Sequence, residues 1–327
     1  MTRPLTFACW DYDRTLALAD GRVQIEGVDL TYLHLPVEET FFRMARFKEF
    51  DAAEMSLASY LVSLSHGRPF IAIPVFPSRS FRHNGIYVHV ESGITKPAEL
   101  VGKVVGLPEY QLTACVWIRG ILAEHEGVPV ESVSYRTGGL HDAGRIEKLP
   151  ISPPGVDLAN IPPGRTLDEM LVAGEIDAVY APRTPRSFLR RDPAVRRLWT
   201  DPKAAEIAYF RATGIFPIMH TVVLRRDVYE AAPWIAGSLY KSLCQAKALL
   251  RSTIEDTAAS PVMLPWTYDA VNEAVTLLGE DFWPYGVEPN HGTLSRFVQY
   301  AYDQGLVDRI YDPEELFAPE TGESYLI

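Results

Sequence analysis

The chain has 327 residues, 47% of them hydrophobic, with 42 acidic side chains against 31 basic ones and a formal net charge of −11. That length exceeds one typical domain and carries enough apolar mass for two. The acidic balance excludes a nucleic-acid binder, which needs a basic face, and no apolar run reaches the ~20 residues of a membrane span.

Cys9, Cys115 and Cys244 are odd in number and far apart, with no CxxC pair, which argues against a disulfide framework or a structural zinc site. The N-terminal apolar residues run straight into Asp11-Tyr12-Asp13-Arg14, leaving no room for the apolar core of a secretory signal, so a cytoplasmic protein is expected.

The opening alternates short apolar strands with helical patterns, the grammar of an α/β fold. Strands are expected at 5–9, 29–35 and 51–55. Helices are expected at 15–20, at 38–46 with Phe41, Phe42 and Ala45 on one face, and at 57–65. Between residues 73 and 88, two strand-like runs flank a proline-stiffened loop that carries Arg79, Arg82 and His83. Cations gathered in one loop of an acidic protein point to an anion site, because the guanidinium fork matches a carboxylate and keeps its charge on burial.

A second series follows: a helical turn at 96–100, a strand at 103–107, a helix at 113–126 with Val116, Trp117, Gly120 and Ile121 toward a sheet, and a strand near 132–136. Residues 149–165 hold five prolines and two glycines and read as loop; a helix at 167–173 and a strand at 176–180 resume the pattern. The segments 50–56 and 175–183 are alike, each a strand stopping at a loop after a helix, which suggests two lobes of similar build. Ligands of open α/β sheets lie beyond the strands' carboxyl ends, which makes Ser56 and Arg183 site candidates. A strand at 218–224, a long amphipathic helix at 233–252 and helices at 268–278 and 293–304 complete the chain; this helical tail makes sense if it returns to the first lobe.

Tyr110 offers a ring and a hydroxyl to a planar ligand, and Thr113 stands where a threonine caps a helix start. No histidine pair has HExxH spacing; His83, His220 and His291 are the candidates for proton transfer or ligand contact, because imidazole exchanges protons near neutral pH. GxSxG, GxxxxGK[ST] and GxGxxG are all absent, which removes the usual marks of esterases, nucleotide hydrolases and Rossmann dehydrogenases.

Four stretches, Ala8-Cys9-Trp10-Asp11-Tyr12-Asp13-Arg14-Thr15, residues 50–60, residues 73–88 and residues 106–114, together resemble the 4,5-dihydroxyphthalate decarboxylase family over essentially the whole chain. The resemblance implies a two-lobed periplasmic-binding-protein-like type II α/β fold of mixed, mainly parallel sheets with a ligand cleft between the lobes. Lobe one would take residues 1–88 and 217–327, and lobe two 89–216. It also implies a carboxy-lyase that protonates the ring carbon bearing one carboxylate, helped by the para hydroxyl, and releases carbon dioxide. Arg79 and Arg82, joined by Arg14 or Arg183, would clamp the retained carboxylate, and His83 and His220 would transfer protons, with acid and base unassigned and His291 able to replace either. Trp10, Ser56, Tyr110 and Thr113 would orient the ring. A small aromatic acid is the expected partner, without nucleic acid or membrane; no cofactor is expected, a divalent metal stays open and a homo-oligomer is compatible. A non-catalytic binder of aromatic or dicarboxylic acids and another lyase on the same fold are the alternatives.

Overall fold

The computed structural model describes residues 2–149 and 151–322. Met1, Pro150 of the expected loop at 149–165, and residues 323–327 of the expected return segment lie outside the described residues.

The chain forms two compact units. The first takes residues up to Arg79, then Ile218–Ser295, then residues from Tyr311 onward; the second takes Ser80–Pro217 and Arg296–Ile310.

The opening stretch gives β1 (Arg3–Cys9), α1 (Asp13–Ala19), β2 (Val28–His34), α2 (Val37–Phe47), β3 (Ala52–Ser56), α3 (Leu57–Leu64) and β4 (Phe70–Ile73). The second unit adds β5 (Ile86–His89), β6 (Val104–Leu107), α4 (Thr113–His125), β7 (Ser134–Thr137), β8 (Leu158–Asn160), α5 (Leu167–Val172), β9 (Ala178–Tyr180), α6 (Arg186–Leu189), β10 (Val195–Arg197) and α7 (Pro202–Thr213). The return begins with β11 (His220–Arg225), α8 (Arg226–Ala231), α9 (Trp234–Ile254) and α10 (Thr267–Leu278), and α11 (His291–Asp303) follows. Among the described residues no helix is long and apolar enough to cross a membrane.

In the first unit the sheet order is β2-β1-β3-β11-β4. β1 pairs in parallel with β2 and β3, whereas β11 runs antiparallel between β3 and β4. The second sheet, β10-β5-β9-β6-β7-β8, is parallel from β9 to β8 and antiparallel at its other edge. β3 lies at the middle of its sheet and all five of its residues are buried, so Glu54 is a carboxylate placed in an apolar layer. Such a group persists only with hydrogen-bond donors or an opposite charge beside it.

The observed division departs from the expected lobe limits. β5, expected to close lobe one, hydrogen-bonds to β9 and β10 and so belongs to the second sheet. Residues 296–310 leave the first unit because α11 turns aromatic side chains onto Trp117 of α4: Phe297 lies 5.1 Å away and Tyr300 5.6 Å, ring centre to ring centre. β8 runs within the expected proline-rich loop, and β10 and α7 have no counterpart in the sequence reading. The start signal for α7 was present: Asp201 accepts a hydrogen bond from the Ala204 amide at 3.1 Å, and Pro202 opens the first turn.

Gly120 is the close-approach point of α4. A Cβ there would sit 2.1 Å from Tyr300 Cδ2. Gly120→Ala is expected to destabilise the protein by about 1–3 kcal/mol, the range for overpacking a filled interior. Gly292→Ala, whose Cβ would meet nothing within 4 Å, serves as the matched control and should not lower the unfolding midpoint. Thermal unfolding of the two variants distinguishes packing from a general intolerance of alanine.

Candidate active site

The first unit gathers four donors around Glu54. The β1–β3 register sets Ala8 opposite Ala53, so Cys9 and the residues just beyond β1 stand beside the glutamate. In β11, which enters from the far end of the sequence, Val222 faces Glu54 and His220 faces Ser56, placing the imidazole diagonally on the same face as the carboxylate. The result is a fully buried carboxylate whose Oε1 accepts from His220 Nδ1 at 2.6 Å and from the Tyr12 hydroxyl at 2.7 Å. Its Oε2 accepts from the Trp10 amide at 3.3 Å and the Cys9 thiol at 3.7 Å.

Burial opposes ionisation of Glu54, but the His220 charge and hydrogen bond, the Tyr12 hydroxyl and the Trp10 amide outweigh it and hold the carboxyl below its usual value. Burial, then the glutamate's charge, pushes Tyr12 well above the ordinary phenol range, so it stays a neutral donor. With Glu54 ionised, the proton of His220 is fixed on Nδ1, and Nε2 is the nitrogen left for exchange with a ligand. Phe41 closes one side of the ring edge-on, with centroids 4.8 Å apart. This arrangement can store a proton on an imidazole and stabilise the resulting cation with an adjacent fixed anion.

Ser56 is buried at the end of β3 opposite His220, and α3 begins at the next residue, where the Leu57 amide donates to the Met219 carbonyl at 3.0 Å. Trp10 is 41% exposed and contributes its amide to Glu54. These two, with His220 and with Arg14, whose guanidinium lies against the Tyr12 ring, are the predicted residues that the structure brings together. Glu54, Tyr12 and Cys9 were missed. The available signal was a lone glutamate inside an otherwise apolar strand, a pattern that asks for partners.

The arginine loop is different from the expected clamp. Arg79 is buried, and its Nη2 donates to the Pro284 carbonyl at 2.8 Å and to the Asn290 side-chain oxygen. Burial pushes the guanidinium down to about 9. Asn290 in turn donates to the carbonyls of Pro284 and Gly286, so Arg79 ties its loop to the 284–290 segment, and the clamp reading is corrected to a structural one. Arg14 is also occupied: Nε donates to the Pro77 carbonyl at 2.6 Å, Nη1 to Asp13 at 2.8 Å, and the guanidinium has the Tyr12 ring at 4.2 Å and the Trp283 ring at 4.5 Å.

The other candidates have surroundings of their own. Arg82 is half-buried just ahead of the turn at His83–Gly85, and Arg183 is exposed after β9; both belong to the second unit. Tyr110 is fully buried there, beneath Arg119 at 3.8 Å, with its hydroxyl donating to the Gln304 carbonyl. Its place is in that unit's core, which corrects the ligand-stacking expectation. Thr113 is the first residue of α4 and not its cap; the cap position is Leu112, which makes no side-chain bond. His291 opens α11 with an exposed ring near Glu314 and Ser295.

His83 is 5% exposed in the second unit, packed against Trp199 and Tyr209 at 5.0 and 5.4 Å. Burial, and then His125, lowers its pKa from 6.5 to about 4, so it is neutral at neutral pH and poorly suited to donate a proton. Above pH 6.5 neither state binds the proton, whereas between 6.5 and 4 only the unfolded chain does, so folding stability falls across that window. Compared at pH 7 and pH 4.5 by urea unfolding, the parent should lose roughly 2–3 kcal/mol more than His83→Gln. Equal losses in the two proteins would remove the assignment.

No protein-family model matches the sequence. The chain is 43% identical, over 325 residues spanning 99% of its length and 98% of the relative's, to 4,5-dihydroxyphthalate decarboxylase of Comamonas testosteroni. It is 44% identical over 210 residues, 64% of this chain and 81% of the relative, to the protein of the same name from Pseudomonas putida. Among solved structures, the periplasmic aliphatic sulphonate binding protein SsuA from Escherichia coli matches with a TM-score of 0.56 at 13% identity, covering 98% of this chain and 99% of that one. The desulfurization enzyme DSZB matches with a TM-score of 0.51 at 16% identity, covering 98% of this chain and 97% of that one. These structures establish the periplasmic-binding-protein-like fold.

Proposed function

This chain belongs to the 4,5-dihydroxyphthalate decarboxylase family, and we propose that it converts 4,5-dihydroxyphthalate to protocatechuate and carbon dioxide with His220 as the proton donor. The observation that carries the residue assignment is the 2.6 Å bond from His220 Nδ1 to the buried Glu54 carboxylate.

In this substrate each carboxylate is para to a hydroxyl. Electron release from that hydroxyl makes the carboxylate-bearing carbon basic enough to take a proton. The His220 imidazolium delivers it from Nε2 to that carbon, giving a ring intermediate that has lost its aromaticity. Cleavage of the bond to the carboxylate then returns the electron pair to the ring and releases carbon dioxide. Glu54 remains ionised throughout and lowers the cost of the imidazolium, while Tyr12 and the Trp10 amide fix the carboxylate's orientation.

His220→Asn is expected to lower kcat by about 100-fold or more with a smaller change in KM, the magnitude typical of a positioned proton donor. Glu54→Gln, which keeps shape and removes the charge, should lower kcat in the same direction. Mass spectrometry of the products supplies the direct check: in heavy water, protocatechuate should carry one deuterium at C6, the carbon that lost the carboxylate. Saturable binding of the diacid with no carbon dioxide released would identify a binding protein instead.

A further inference from the structure

The first unit contains a cavity of about 360 Å³, and Glu54, Tyr12 and His220 are not among its lining residues. Its volume lies within the ~300–1,000 Å³ of ordinary small-molecule sites. Leu250, Phe282 and Trp283 give it an apolar wall, and three cations, Arg14, Lys247 and Arg251, reach it from α1 and α9.

Those cations are held in place. Lys247 donates to Asp281 at 2.9 Å and to the Trp283 carbonyl at 2.9 Å, and Arg251 lies 4.8 Å over the Phe282 ring while paired with Glu255 and Glu280. The burial of each pair is unequal. Arg14, Lys247 and Arg251 are 15%, 21% and 28% exposed, whereas Asp13, Asp281 and Glu280 are 43%, 61% and 90% exposed. Asp13, Asp281 and Glu280 line the cavity as well, so its three cations and three acids balance; the acids are the more exposed and better screened partners, and the cations sit nearer the low-dielectric side, where charge acts over a longer range. An apolar wall rules against inorganic phosphate as a snug occupant, and the deeper burial of the cations favours an anionic group over an ammonium one.

We propose that this cavity is a second binding site, for a single-ring aromatic carboxylate, with the ring against Phe282 and Trp283 and the carboxylate toward Lys247 and Arg251. The inference goes beyond the decarboxylase assignment and is testable without turnover. Arg14 makes it consequential, since its guanidinium contacts both Trp283 in the cavity wall and the Tyr12 ring whose hydroxyl holds Glu54.

The test is calorimetric titration of the full chain with benzoate. Ala248→Trp adds bulk at an exposed residue lining the cavity, and it should bind one equivalent fewer than the parent while keeping kcat/KM at low substrate within about twofold. Arg251→Met keeps the space and removes the charge, and should weaken benzoate at this site about tenfold. Equal stoichiometry and affinity in the parent and Ala248→Trp overturn the proposal, as does an absence of benzoate binding to the parent. Should Ala248→Trp fail to fold, Arg251→Met decides alone, and unchanged affinity there overturns it. Loss of decarboxylation with retained benzoate binding would remove the enzyme reading and leave this one standing.

Discussion

A carboxylate at the middle of a buried sheet is tolerable only if its charge is answered, and the four donors around Glu54 answer it. That requirement organises the surroundings. Removing one partner of a buried ion pair generally costs about 3–5 kcal/mol, because the other is left desolvated and alone. The imidazole, the phenol and the backbone amide are thus held by the same electrostatic need, which keeps their geometry narrow before any ligand arrives. A preset orientation is what proton delivery to a ring carbon demands.

The arginines show the complementary rule. A guanidinium is useful to a protein as a cross-link as well as an anion receptor, and sequence does not distinguish the two. Arg79 and Arg14 each donate to a backbone carbonyl, Arg79 binding the loop after β4 to the 284–290 segment and Arg14 standing between two aromatic rings. Arg119 does the same within the second unit, joining the Tyr110 carbonyl to Gln304. Neutral acceptors and ring faces satisfy these cations in part, so a cluster of arginines in an acidic chain is weaker evidence for an anion site than charge alone suggests.

Much of the fold was legible because its strands and helices carry strong periodicity: β1, β3, α2, α4 and α9 were all anticipated within a few residues. Short edge elements escaped. β8 and β10 have three residues each, too few to repeat a pattern, and proline-rich surroundings concealed β8. In the site, His220 was visible as a histidine within an apolar strand, but its partner was not, since 166 positions separate them and only the antiparallel insertion of β11 makes them neighbours. His83 looked equally reactive on paper. What separates the two histidines is their environment, a buried anion in one case and aromatic walls in the other, and no local motif encodes that difference.

The placement of β11 between β3 and β4 carries a consequence for biosynthesis. β3 and β4 leave the ribosome early, yet the strand that joins them is made only after the entire Ser80–Pro217 segment. Until then the nascent sheet has a gap beside its central strand, and the glutamate in that strand lacks its imidazole. Pairing of the buried glutamate and completion of the sheet therefore arrive together, after the Ser80–Pro217 segment has been made, and a chain released early would present an unpaired strand edge to its neighbours.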